Sequence, residues 1–247
     1  MYIKTSGLVL RETEYKESSR ILTVLTSTEG KITVSARGSK RKGSRTAAAT
    51  QLLTFSNMEL FAERGRYVLT EANSVEEFRG LRDDIVLLAL GAYVAEVLEA
   101  ASDEDQPNPE MLTLGLNTLY ALGESRKDPR IVKAAFELRL ACLAGFEPDL
   151  RACAVCGRRD MAAAEFSFLG GVVWCGGCRP ATAGETVKLL PGTLEAMRYI
   201  TGAELKRFCA FSAGEDALKQ LSRVCENYLL TQLGRGFGSL DYYRSVT

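Results

Sequence analysis

The first third of the chain alternates apolar and polar residues at the short spacing typical of β-strands. In the clearest strand, residues 31–37, Ile32, Val34 and Ala36 face one side and the residues between them face the other. The predicted strands are residues 7–10, 20–26, 31–37, 52–61 and 67–72. Five short strands within about eighty residues suit a small closed barrel, which leaves no sheet edge exposed. An SH3-like barrel is the nearest competitor from the pattern alone.

From about residue 82 the apolar residues recur every three or four positions, which indicates helices. Asp128 followed by Pro129 is the pattern of a helix N-terminus. The predicted helices cover residues 85–97, 112–120, 129–142, 192–200 and 215–233. The C-terminal tail after these helices is interpreted as frayed. The pattern therefore predicts a β-barrel followed by a helical domain that carries an insertion.

Composition excludes several classes of protein. The chain contains no histidine, which rules out Ser-His-Asp and Cys-His nucleophiles and any His-ligated metal centre. The longest uncharged apolar runs, residues 85–95 and 111–123, are shorter than the 18 or so residues that a membrane span needs. Seven cysteines without an export signal are typical of the reducing cytoplasm, where paired cysteines more often bind metal than form disulfides.

Four cysteines make the strongest chemical pattern. Cys153 and Cys156 form one C-x-x-C pair, and Cys175 and Cys178 form a second pair after eighteen intervening residues. This spacing is typical of structural zinc sites, because each pair lies on a tight turn that directs two thiolates at one ion. Four sulfur ligands complete a tetrahedron and leave no position for a reacting water. Two disulfides, or a coincidence among core cysteines, are the alternative interpretations.

Positive charge is concentrated between Lys31 and Arg66. The 31 basic and 31 acidic residues of the chain cancel, but this segment holds eight cations against two acids. Such asymmetry suggests a partner that carries phosphates. The densest part, residues 36–45, alternates cations with glycine and serine. A flexible cationic loop on a barrel can follow a nucleic-acid backbone without reading bases, whereas a solvated surface loop is the alternative.

Two further patterns bear on catalysis. Residues 38–44 approach a Walker A loop, but Ser44 occupies the position of the required lysine. The acidic pair at residues 83–84 and the acidic triplet at residues 103–105 are candidates for two-metal catalysis, although acid–base chemistry favours carboxylates held in an apolar cleft. A nucleic-acid-processing enzyme that uses the barrel as a substrate arm, and a zinc-containing interaction adaptor, stay open as alternatives.

The order of these parts resembles the RecO family of bacterial DNA repair and recombination mediators. The resemblance in the first part of the chain rests on GLVLR at 7–11, YKESSRILTVLT at 15–26, GKI at 30–32 and ARG at 36–38. It continues through FELRL at 136–140, GFEP at 145–148, the four cysteines and the closing helices. The ordered set covers nearly the whole chain.

The resemblance implies a multidomain, all-β plus all-α architecture. A five-stranded OB-fold barrel, residues 1–79, is expected to bind DNA. Residues 80–149 and 181–247 are expected to form an α-helical domain, and residues 150–180 an inserted four-cysteine zinc module that holds one structural Zn²⁺. Its expected ligands are Cys153, Cys156, Cys175 and Cys178.

The same resemblance implies a non-enzymatic function on DNA in the cytoplasm, in association with the nucleoid. Family members bind single- and double-stranded DNA, anneal complementary strands and work with RecR to help load RecA onto DNA coated by single-strand-binding protein. The DNA-facing positions implied here are Lys31, Arg37, Lys40, Arg41, Lys42 and Arg45. Members also bind the C-terminal tail of single-strand-binding protein, for which Arg130, Lys133 and Arg139 are the candidate cations.

Overall fold

The computed structural model contains two compact units of chain. It describes residues 1–125, 127–161, 163–178 and 184–247. One unit comprises Met1–Arg126 and Phe237–Thr247, and the other comprises Lys127–Gly236. The three-part division expected from the sequence stays a prediction, and its boundary between residues 180 and 181 lies outside the described residues.

The first unit contains the predicted five-stranded barrel. Its strands are β1 (Tyr2–Tyr15), β2 (Ser19–Thr26), β3 (Lys31–Ala36), β4 (Phe55–Glu63) and β5 (Arg66–Glu76). They close in the order β1-β2-β3-β5-β4. Neighbouring strands run antiparallel, except that β3 and β5 run parallel with Val34 opposite Tyr67. This is the arrangement of an OB-fold, and the predicted fold class is confirmed.

The barrel interior is formed by the alternating residues that the sequence pattern selects. On β3, Ile32, Val34 and Ala36 are buried and pack in one cluster with Val9 and Leu60. Strand β1 is much longer than predicted, and its register shifts between Val9 and Arg11. Such a bulge bends a strand and increases its twist, which helps a long strand pair with both β2 and β4.

Three helices accompany the barrel: α1 (Ile85–Ala101), α2 (Pro109–Gly123) and α6 (Gly238–Val246). The Asp84 carboxylate caps α1 by accepting a hydrogen bond from the Val86 amide at 2.7 Å. The prediction of a frayed C-terminal tail is wrong, because Leu240 and Tyr243 of α6 are buried. Helix α6 lies against α1, where the Phe237 ring packs edge-on against Tyr93 at 5.9 Å.

The second unit combines helices with a small sheet. Its helices are α3 (Pro129–Leu143), α4 (Pro191–Gly202) and α5 (Glu215–Leu233). The sheet has the order β7-β6-β8, with β6 at Ala164–Ser167, β7 at Val173–Cys175 and β8 at Thr186–Leu189. The predicted cap of α3 is confirmed, because the Asp128 carboxylate accepts a hydrogen bond from the Arg130 amide at 2.9 Å. Across the described part of the chain, the helices lack the combination of length and apolarity needed to cross a membrane.

Candidate nucleic-acid interface and metal centre

A groove of about 960 Å³ crosses the outer face of the barrel. Its floor is formed by outward residues of β2, β3 and β5, which include Ile21, Thr33, Ser35 and Val68. Its ends are the β1–β2 connection and the β4–β5 turn at Gly65. In an OB-fold, this face and these two connections are the surface that binds oligonucleotides. The groove therefore lies where the fold places a nucleic-acid ligand.

The groove is positively charged. Four cations line it: Lys16, Arg37, Arg41 and Arg66. Its described lining includes no acidic side chain. Field lines concentrate in a cleft with walls of one charge, so the groove attracts a polyanion more strongly than separate surface cations do. Two of the predicted DNA-facing residues, Arg37 and Arg41, are brought together here.

Two aromatic side chains at the groove offer surfaces on which bases can stack. Tyr15 is half exposed, and the Lys16 ammonium lies 5.3 Å from the centre of its ring. Tyr67 is partly buried, and its hydroxyl donates to the Asp105 carboxylate at 3.4 Å. Burial, together with the charges of Asp105 and Glu29, raises the pKa of Tyr67, which favours the protonated phenol that donates to Asp105. Stacking on aromatic rings tolerates any base and suits binding without sequence preference.

Tyr15, Lys16 and Arg66 were not among the residues predicted to contact DNA. Lys16 lies in the β1–β2 connection and Arg66 directly follows the β4–β5 turn, so the OB-fold assignment was a signal that could have identified both residues. Charge density alone favoured the longer loop between β3 and β4.

The remaining predicted DNA-facing residues do not line the groove. Lys31 begins β3, and its Nζ donates to the Glu99 carbonyl oxygen at 2.9 Å. Lys40 forms an ion pair with the exposed carboxylate of Glu14, whose pKa is lowered by that hydrogen bond and by the Lys40 charge. Lys42 and Arg45 are exposed on the same β3–β4 connection.

The β3–β4 connection is folded rather than extended. Successive turns are closed by hydrogen bonds from Arg41 to Gly38 and from Ser44 to Arg41, both at 3.0 Å. The Arg20 guanidinium donates to the Ala47 carbonyl oxygen at 3.3 Å and to the Thr50 hydroxyl at 3.0 Å. The cations of this connection are consequently displayed from a scaffold attached to the barrel.

The four cysteines converge on one point in the second unit. The sulfur atoms of Cys153, Cys156, Cys175 and Cys178 all lie within 4.8 Å of one another. Those of Cys156 and Cys175 are 3.8 Å apart. Metal–sulfur bonds of about 2.3 Å in a tetrahedron place neighbouring sulfurs roughly 3.8 Å apart. The cluster therefore has the dimensions to hold a metal ion.

Two tight turns bring these thiols together. The Gly157 amide donates to the Cys153 carbonyl oxygen at 2.9 Å, and the positive φ of 72° at Gly157 closes that turn. The Cys178 amide donates to the Cys175 carbonyl oxygen at 2.9 Å. A hydrogen bond of 2.9 Å from the Ala154 amide to the Val173 carbonyl oxygen joins the first turn to β7.

The thiols also have the electrostatics of a cation site. Hydrogen bonds from the backbone of Cys156 and Cys175 lower the pKa of Cys153 to about 6. Contact with the thiols of Cys175 and Cys156 raises the pKa of Cys178 to about 12. Four adjacent sulfurs cannot all ionise without a positive charge between them, and a divalent cation supplies it.

The three candidate partner-binding cations lie on α3 but have different environments. Lys133 is buried, and its ammonium contacts Glu137 at 2.6 Å and Glu226 at 2.7 Å. Arg130 is half exposed and pairs with Asp128 and with Glu215 of α5. The structure therefore does not bring the three cations to one exposed surface.

Arg139, the third candidate, adjoins a cavity that is lined by both basic and acidic side chains. Its guanidinium donates to the Thr201 carbonyl oxygen at 2.6 Å, and Thr201 lines a cavity of about 830 Å³. The charged residues that line the same cavity are Arg151, Arg159, Arg198, Glu147 and Asp149, and Arg151 pairs with Asp149 at 3.0 Å. The Arg198 guanidinium is fixed in place by the Leu150 carbonyl oxygen at 2.9 Å and by Glu195 at 2.8 Å.

Comparisons with known proteins agree across almost the whole chain. Residues 1–78 match the family described as recombination protein O N terminal, and residues 82–241 match recombination protein O C terminal. The chain is 30% identical to the DNA repair protein RecO of Acetivibrio thermocellus, over 99% of this chain and 97% of the relative. It is 31% identical to that of Symbiobacterium thermophilum over 96% and 94%, and 30% identical to that of Caldicellulosiruptor bescii over 99% and 98%.

Proposed function

Because the chain belongs to the RecO family of DNA repair proteins, we propose that it is a non-enzymatic recombination mediator that binds single- and double-stranded DNA. The cationic groove on the OB-fold carries this proposal, since it joins four cations and two tyrosines on the oligonucleotide face of the barrel. The proposed place of action is the cytoplasm, on DNA of the nucleoid.

In the proposed annealing reaction, the groove and the β3–β4 connection bind different DNA strands. The groove holds one strand through Lys16, Arg41 and their neighbours, with bases stacked on Tyr15 and Tyr67. The exposed cations Lys42 and Arg45, with Lys40 beside them, approach the phosphates of a second strand. Cations that neutralise both backbones lower the repulsion between the strands and leave the bases free to pair.

The proposed partners are RecR, which acts with this protein, and single-strand-binding protein on the DNA. The acidic C-terminal tail of single-strand-binding protein is proposed to bind at the cavity beside Arg139, whose lining holds three arginines against two acids. Arg130 is a second contact, whereas the charge of Lys133 is already matched by two carboxylates. Two linked sites raise the effective concentration of the protein at coated DNA, which favours displacement of the coat and indirect loading of RecA.

The metal in the cysteine cluster is proposed to be a single structural Zn²⁺. Thiolate sulfur is a ligand that zinc prefers, and four sulfurs at this spacing fill its tetrahedral shell. Cys153, Cys156, Cys175 and Cys178 would hold the ion and lock the two turns together. Zinc bound in this way supplies folding energy to the second unit and no chemistry on DNA.

The experiment that tests the function compares two variants of equal charge. The groove variant combines Lys16→Ala, Arg41→Ala and Arg66→Ala, and the outer variant combines Lys40→Ala, Lys42→Ala and Arg45→Ala. Binding of a labelled single strand is measured across a salt titration. Annealing is measured with complementary strands coated by the cognate single-strand-binding protein.

The groove variant is expected to lose single-strand binding and to flatten the salt dependence, because it removes three phosphate contacts. The outer variant is expected to keep single-strand binding and to lose annealing rate. Equal single-strand binding by wild type and the groove variant would refute the proposal that the groove binds DNA. New DNA products on incubation with Mg²⁺ or Mn²⁺ would instead favour a nucleic-acid-processing enzyme, and binding of partners without DNA binding would favour an adaptor.

A further inference from the structure

An acidic loop is fixed to the barrel beside the groove. The loop consists of Asp103, Glu104 and Asp105 in the connection between α1 and α2, and all three residues are exposed. Its sequence suggested a catalytic carboxylate cluster, but its position suggests a different role. The Tyr67 hydroxyl, which belongs to a side chain of the groove, donates to Asp105 at 3.4 Å.

The backbone holds this acidic loop in place. The Asp105 amide donates to the Lys31 carbonyl oxygen at 3.2 Å, and Glu104 forms a parallel bridge with Lys31. The next residue, Gln106, approaches Gly30 so closely that a Cβ at Gly30 would lie 2.3 Å from the Gln106 carbonyl oxygen. The loop is therefore part of the barrel surface at the start of β3.

The outward face of β3 runs from Lys31 through Thr33 and Ser35 to Arg37. Arg37 and Arg41 lie at one end of this face, within the groove, and the acidic loop lies at the other end. Arg37 lies six residue steps after Lys31, which corresponds to about 20 Å of extended chain. A phosphate backbone that follows β3 toward Lys31 would meet three carboxylates.

We infer that the acidic loop limits the path of single-stranded DNA, so that the strand crosses the barrel between the β1–β2 and β4–β5 connections instead of running along β3. This inference rests on the proposed binding of DNA in the groove. The loop acts by repelling phosphates and binds no ligand of its own. Its consequence is a short binding site, from which Lys31 is excluded as a phosphate contact.

The test is a neutral loop, Asp103→Asn with Glu104→Gln and Asp105→Asn, in the full chain. These amides keep the size of the side chains and leave the backbone hydrogen bonds intact, and Asn at position 105 can still accept from Tyr67. The control variant combines Glu71→Gln, Asp83→Asn and Glu110→Gln, three exposed acids of the same unit that do not line the groove. Both variants gain the same net charge. Binding of labelled oligo-dT of graded length is measured across a salt titration.

In wild type and control, affinity is expected to stop increasing at the same short length. In the neutral-loop variant it is expected to rise several-fold and to keep increasing with longer oligonucleotides. The salt slope should steepen by about 0.7 for each phosphate gained. A neutral-loop variant indistinguishable from the control overturns the inference. The groove variant separates failure of this inference from failure of the proposed function. If DNA does not bind in the groove, the groove variant, which lacks the cations of Lys16, Arg41 and Arg66, binds DNA as well as wild type does. If only the inference about the acidic loop is wrong, the groove variant still loses binding.

Discussion

Lys133 and Glu137 lie one turn apart on α3 and form a buried ion pair, with 2.6 Å between Nζ and Oε1. Glu226 of α5 is the second partner of the same ammonium at 2.7 Å. Burial lowers the pKa of Lys133, but the charges of Glu137 and Glu226 and their hydrogen bonds outweigh it and raise that pKa. Lys133 is thus a charged link between α3 and α5 inside the second unit.

Removal of the Lys133 charge is expected to destabilise the protein strongly. Lys133→Met keeps much of the volume but leaves two carboxylates close together without their cation, which costs about 3–5 kcal/mol. The exposed Lys219 of α5 provides the control, since Lys219→Met is expected to change stability by about 0.5 kcal/mol or less. Urea unfolding of the three proteins measures the difference. Similar unfolding free energies for both variants would contradict a structural role for Lys133.

Gly30 is required for attachment of the acidic loop to the barrel. Its φ is +73°, and an added Cβ would overlap the backbone of Gln106. Gly30→Ala is expected to cost about 2–4 kcal/mol, because backbone strain and steric overlap add. Gly43 has a similar φ of +78° but open space around its Cβ position, so Gly43→Ala is expected to cost only about 1 kcal/mol. Urea unfolding tests the pair, and equal losses would mean that contact with Gln106 is not tight.

If the cysteine cluster binds a metal ion, replacement of one of its four cysteines should lower the metal content of the protein. Wild type is expected to carry one ion per chain, and Cys175→Ser to carry far less, because a hydroxyl is a poor substitute for thiolate. Cys209 is buried outside the cluster, so Cys209→Ser is expected to keep the ion. Elemental analysis of the purified chains measures both content and identity. Full metal content in Cys175→Ser would contradict coordination by this cluster.

Loss of the ion should also lower thermal stability. A strong chelator is expected to lower the Tm of wild type, because the binding energy of the metal contributes to folding. It should have little further effect on Cys175→Ser. A Tm of wild type that does not respond to chelator would show that the ion contributes little to the fold.

Much of the fold could be predicted from local patterns. The alternation on β3 and the cap at Asp128 are short-range features, and both are present. Helix α6 was missed because its burial depends on α1, more than a hundred residues away in sequence. The contact of Phe237 with Tyr93 and the hydrogen bond of 3.0 Å from the Ser239 amide to the Glu96 carboxylate show how α1 holds this helix.

The candidate sites also combine features that local sequence patterns predict with features that depend on distant contacts. The cysteine spacing is a local signal, and the cluster of four sulfurs that it predicts is present in the structure. The groove depends on the closure of the barrel, which places Lys16 and Arg66 beside Arg37 although they are far apart in sequence. Burial is likewise a long-range property: Lys133 occupies a helix position like that of any surface lysine, and only the approach of Glu226 from α5 reveals its internal role.

The second unit is expected to lose stability in alkali through Cys142. Burial, followed by the charge of Glu147, raises the pKa of this thiol from 9.0 to about 11. The folded chain therefore holds a proton that the unfolded chain releases between these values. The resulting stabilisation is complete below about pH 9 and is lost as the pH rises toward about 11. Unfolding free energies of wild type, Cys142→Ala and Cys142→Ser at about pH 8 and about pH 10.5 test this.

Both variants lack a titrating thiol, so each is expected to lose less stability than wild type between the two pH values. Cys142→Ser fills nearly the same space as cysteine, whereas Cys142→Ala leaves a small cavity. Agreement between the two variants would assign the effect to titration, because a cavity changes stability to the same extent at both pH values. The pKa of Cys225 is raised mainly by burial and also by the charge of Cys142, which both variants lack, so Cys225 does not affect the comparison between the two variants. An identical loss in wild type and both variants would exclude Cys142 as the titrating group.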